Sequence, residues 1–129
     1  MSISGKTKGQ LEAEISVAMT QFERDHLGRG PKEARTFIVQ DMILIRLKGV
    51  LTPAEEQLAT ERDGAQLIKQ VRMRLIESSR PLLEQIIKER TGADVVTLHT
   101  DISSMTGERI FVLSMNKNLE DELKKNFTG

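Results

Sequence analysis

The chain has 129 residues, with nineteen Lys and Arg balanced by nineteen Asp and Glu. That length makes one domain around one core, and a net charge of zero supplies no global field toward nucleic acid or anionic lipid. Aromatic content is 3%, all of it Phe, and Cys is absent. This argues against stacking on bases or sugars and excludes disulfides, thiolate metal sites and a cysteine nucleophile.

No apolar run approaches the ~20 residues of a membrane span, and the first residues lack the apolar stretch of a signal peptide. A soluble cytoplasmic protein is expected. Residues 1–8 are polar, so a disordered start followed by a single domain over residues 9–129 is expected. Leu11, Ile15, Ala18, Met19 and Phe22 then recur at helical spacing. The helix should end at Gly28, which can take the left-handed closing conformation.

After the loop Gly28, Arg29, Gly30 and Pro31, residues 35–39 and 42–47 are rich in β-branched and aliphatic side chains around Gln40 and Asp41. This reads as a tight hairpin. Pairing Val39 with Met42 puts Phe37, Val39, Met42 and Leu44 on one face, and Ile38, Ile43 and Ile45 on the other. A sheet with one wet face would alternate apolar with polar, so both faces are expected to be covered.

Thr52, Pro53 and Glu55 form a capping box with proline at the first helical position, and a short helix should follow. Asp63 to Gln66 is expected to restart a second helix by the same device. That helix carries Ile68, Val71, Leu75, Leu82 and Ile86 in one stripe that stays in phase across Pro81. One kinked helix is therefore expected. Ile76, Leu83 and Ile87 widen its apolar arc. Thr91 and Gly92 close it, residues 95–102 and 109–115 form a second hairpin, and Asn118 can cap a last helix carrying Leu119, Leu123 and Phe127.

Three groups of residues carry candidate chemistry. Gly28, Arg29 and Gly30 could form a nest of amides with an arginine above it, suited to an anion. A helix C-terminus carries partial negative charge, however, and the plainer reading is a cap and turn. His99 and Asp101 alternate along a strand and so leave the same face, while Glu23 and His26 sit three apart on the first helix. Together these four could hold a divalent metal, or His99 and Asp101 could make an oriented base. The plainer reading is that His99 and Asp101 are structural, without a metal and without catalysis. Lys69, Arg72 and Arg80 fall on one flank of the long helix, but Glu77 and Glu84 interrupt the stripe that nucleic acid would need.

The pattern as a whole resembles the MpsC-like family of small bacterial proteins, named for a subunit of a sodium-translocating, membrane-potential-generating system. The residues that carry the resemblance are Gly28 to Pro31, the run Asp41 to Thr52, Glu55, Gly64, Arg80 with Pro81, Leu98 to Ile102, and Gly107 to Arg109. It covers nearly the whole chain, from about Leu11 to Leu119. It implies an accessory role beside membrane ion or inorganic-carbon transport, and supplies no catalytic residues to carry over. The expected molecule is an α+β protein of order α-β-β-α-β-β, with two antiparallel hairpins packed on a long kinked helix, forming a homodimer. The expected function is non-enzymatic, with no cofactor, no nucleic acid and no direct membrane insertion, acting through a protein partner. The rival is an anion, small-ligand or metal-binding protein using residues 28–31 or the His99 and Asp101 pair. A weak hydrolase or lyase stands third.

Overall fold

A computed structural model describes residues 3–126. Its first helix, α1 (Lys8–His26), is capped by Thr7, whose side chain accepts from the Gln10 amide while Gln10 reaches back to the Thr7 amide. Where a disordered start is expected, Ile3 lies buried and its carbonyl, like that of Lys6, accepts from Asn126. Gly28 follows the end of α1 with φ +115°, as the closing-glycine reading requires.

The hairpin β1 (Glu33–Val39) and β2 (Met42–Lys48) has the expected register, with Val39 opposite Met42. The second hairpin is β3 (Val95–Ile102) and β4 (Arg109–Met115). The two join through β2 and β4 into one antiparallel sheet of order β1-β2-β4-β3. Between the hairpins stand α2 (Pro53–Leu58) and α3 (Arg62–Thr91), and α4 (Leu119–Lys125) ends the described chain. The class is α+β, as expected, in the order α-β-β-α-β-β-α. Phe127 lies outside the described residues.

The core sits between one sheet face and the helices. Ile38, Ile43, Ile45, Leu47, Phe111 and Leu113 point from the strands toward Leu11, Ile15, Met19 and Phe22 of α1 and Ile76, Leu83 and Ile87 of α3. Across the sheet, Phe37, Val39 and Met42 remain 42%, 45% and 38% exposed. Within a single chain, therefore, only one of the two apolar faces is covered.

The long helix departs from expectation in two ways. Its first residue is Arg62, after Glu61, which makes no side-chain cap bond. Asp63 thus lies inside the first turn, where its charge favours the positive end of the helix dipole rather than capping it. Second, the residues buried against the core are Ile68, Arg72, Ile76, Leu83 and Ile87. Val71 and Leu82, from the stripe expected to lead, are 47% and 41% exposed, with Leu67 beside them. The arc is wide enough for two partners, and the sheet takes the half that also carries Arg72. Proline 81 stands within one continuous helix.

Candidate functional site

Two features of this fold are not explained by core packing alone: a group of buried charges under the helices, and the open sheet face. The charges come from four elements. Glu23 on α1 and Arg109 at the start of β4 are fully buried, and Arg72 on α3 is 1% exposed. Glu55 on α2 is half-buried. Arg72 donates from Nε to Glu55 Oε2 at 3.0 Å, and from Nη2 to Glu55 Oε1 at 2.6 Å and to the Val50 carbonyl at 2.9 Å. Glu55 Oε1 also accepts from the Thr52 amide at 2.9 Å, closing the capping box with the Glu55 amide on Thr52 Oγ1 at 3.1 Å. One carboxylate thus caps α2 and holds it to α3, while Arg72 itself ties α3 to Val50 just after β2.

Burial would raise the Glu55 carboxyl, but Arg72 and the Thr52 amide outweigh it and hold it below the usual range. Glu23 has the opposite balance. Its Oε1 stands 4.0 Å from Arg72 Nη1, too far for a hydrogen bond, and neither carboxylate oxygen finds a hydrogen-bond partner among the described residues. Burial pushes its pKa up to about 7, against the pull of Arg109 and Arg72. Arg109 donates Nη1 to Thr100 Oγ1 at 3.1 Å and lies over the Phe111 ring at 5.5 Å. Burial lowers its pKa while Glu23 raises it. Two guanidinium groups beside one carboxylate make this a poor place for a metal cation. Sealed as it is, the cluster fastens elements and stores charge.

The sequence-nominated residues are distributed differently. Gly28 sits near the cluster, since a Cβ built on it would stand 3.9 Å from Arg72 Nη2. Arg29 turns to the Leu51 carbonyl at 3.4 Å and so ties its loop to the segment that leads from β2 into α2. His99 and Asp101 do share a face, the open one, but Asp101 Oδ1 accepts from the Ile102 amide at 2.8 Å and lies 3.4 Å from Lys69. Glu23 is buried under the other face, whereas His26 is exposed and stacks at 5.4 Å on Phe22. Among the described residues no group of three or more His, Asp or Glu is placed to hold a metal.

Arg72, placed by the sequence with Lys69 and Arg80 on one flank, either solvated or salt-bridged across a dimer seam, is instead inside the molecule. Its position was legible, because it falls in phase with Ile68 and Ile76. Arg109, alternating with Phe111, Leu113 and Met115, carries the same signal on a strand.

The open face can be read row by row from the strand register. Val39, Met42, Ser114 and Thr97 form one row, and Phe37, Leu44, Val112 and His99 the next. Arg35, Arg46, Ile110 and Asp101 form the third. The face thus has an apolar centre and a charged end, with shallow concavities at its β3 side lined in part by Asp101 and Ile110, and by His99.

A family model described as "Na+-translocating membrane potential-generating system (MpsC)" matches residues 7–117. The chain belongs to the MpsC family. It is 47% identical over 120 residues to the uncharacterized protein YbcI of Bacillus subtilis, covering 93% of this chain and 97% of that protein. It is 23% identical over 111 residues to the uncharacterized protein YrhF of the same organism, covering 84% and 90%. No solved structure matches. The buried cluster and the rows of the open face all lie within the span of the MpsC match. Among the described residues no helix is long and apolar enough to cross a membrane.

Proposed function

We propose that this MpsC-family chain is a soluble, cytoplasmic, non-enzymatic accessory protein, a homodimer that acts by contact with a protein partner in a membrane system that moves sodium or another ion. The observation that carries this reading is apolar surface left over on two sides of a sealed core. One is the open sheet face. The other is the flank of α3, where Leu67, Val71 and Leu82 are exposed in one stripe with Leu58 near its start. A protein that works by contact needs such surfaces. The family description supports the kind of partner, a membrane complex that generates potential by moving Na+.

The test is a deletion strain with the Na+-dependent membrane potential followed by a potential-sensitive dye. Deletion should lower the potential, and the wild-type gene should restore it. Val71→Glu should fail to restore it although the protein accumulates, because the charge would spoil the α3 contact. Arg29→Ala should restore it fully, since Arg29 lies away from both surfaces and bonds only the Leu51 carbonyl among the described residues. An unchanged potential on deletion would count against the reading, and loss of rescue by Arg29→Ala would favour the ligand alternative that uses residues 28–31.

A further inference from the structure

The open sheet face has a polarity that the row-by-row register exposes. On the β1–β2 half, Arg35, Arg46 and Lys48 stand against one carboxylate, Glu33. On the β4–β3 half, Asp101 and Glu108 are the charged groups, reached by Lys69 from α3 at 3.4 Å and by Arg46 at 2.6 Å. These local pairs leave Arg35 and Asp101 with side chains 66% and 77% exposed. One half of the face is positive and the other negative, and the apolar row of Phe37, Leu44 and Val112 runs across its middle from β1 to β4.

Strand addition at the β1 edge is blocked. The outward amide of Ile38 donates to Glu12 at 2.8 Å, and that of Gln40 to Glu120 at 3.2 Å. Acidic side chains from α1 and α4 thus occupy the edge that another chain would need. Contact on the β1 side of this sheet is therefore made by its face rather than by its edge.

We infer that the open face packs on the same face of a second copy about a two-fold axis parallel to the strands, with β1 over the partner's β3 and β2 over its β4. This deepens the homodimer element of the proposed function and rests on it. The axis follows from the rows. A two-fold along the strands keeps each row at its own level while reversing its order. Arg35 of each copy then meets the other copy's Asp101, Leu44 meets Val112, and Phe37 meets His99. A two-fold across the strands would instead lay Arg35 and Arg46 over Val39 and Met42, burying cations on apolar side chains, which is unfavourable. Aligned face-to-face packing is also one of the two stable ways for sheets to stack.

Size is consistent with a dimer. Four strands at ~4.8 Å and seven residues at ~3.4 Å give a face of about 450 Å² in projection. A corrugated surface exceeds its projection, so two copies reach the roughly 1,000 Å² that a specific interface needs.

The experiment is sedimentation of the purified full chain across a concentration series, with circular dichroism to monitor folding. Wild type should be dimeric at micromolar concentration. Phe37→Glu should give a folded monomer, since Phe37 lies outside the core. Arg35→Asp and Asp101→Arg should each weaken the dimer at least tenfold, and the double variant should recover most of that loss. Recovery is the decisive result, because a purely structural role for either residue would not produce it. A dimer that survives Phe37→Glu and dissociates with Val71→Glu would overturn the sheet-face arrangement while leaving self-association intact. A wild-type monomer at every concentration would overturn both.

Discussion

At the scale of single residues, the charges under the helices set two opposing pH dependences. Glu23 has a folded pKa of about 7 against an ordinary 4.5. The folded chain therefore holds a proton between those values that the unfolded chain has lost. The contribution is full below pH 4.5 and is lost as pH rises through 7, to the extent of about 3 kcal/mol at most. Glu55, held below its usual range, contributes above that range and loses its effect as pH falls. Stability should thus peak in mildly acidic solution. Denaturant unfolding between pH 5 and 8 should show wild type weakening with pH and Glu23→Gln nearly flat; parallel slopes would refute this. Thr52→Ala should cost about 1 kcal/mol for the cap itself. Because Glu55 also anchors Arg72, the measured loss should be at or above that figure, and a loss under half of it would mean the box is not holding α2.

At the scale of elements, α2 and α3 meet so closely that glycine is required between them. A Cβ on Gly64 would collide with the Leu58 carbonyl oxygen, yet Gly64 lies inside α3. Helix propensity alone favours alanine by about 1 kcal/mol. The backbone clash should win, so Gly64→Ala should destabilise the protein by roughly 1–3 kcal/mol, the range for forced overpacking. A stabilised variant in thermal unfolding would show that α2 can move aside. The two sheet faces should separate just as clearly. Ile43 is fully buried on the helix side, so Ile43→Asp should prevent folding, whereas Phe37→Glu on the open side should leave the single chain's secondary structure intact by circular dichroism.

At the scale of the whole molecule, an apolar sheet face on one side and an apolar helix flank on the other make a chain built for company. If the sheet face self-associates, the folded state is stabilised by mass action and the melting temperature should rise with protein concentration. Scanning calorimetry over a hundredfold range of concentration would read this directly. A concentration-independent value would count against self-association over that range.

Much of this was written in local sequence. Both hairpins, the register of Val39 against Met42, the Thr52 capping box and the Gly28 closure depend on neighbours within a few residues, where spacing and side-chain chemistry suffice. The apolar width of α3 was also legible, as were two faces to the first hairpin. What the sequence could not decide was which apolar stripe goes inward, because helical period alone ranks Val71 and Leu82 no lower than Ile76 and Leu83. Docking against α1 and β3 decided that, and carried Arg72 into the interior, where Glu55 from α2 could meet it. The meeting of Glu23, Arg72 and Arg109 is likewise tertiary, since it joins a helix, a second helix and a strand that only the folded core brings within reach of one another. His99 and Asp101 show the limit from the other side. Strand alternation placed them on one face, but only the sheet order put that face outside, beside Val112 and Ile110, and far from Glu23.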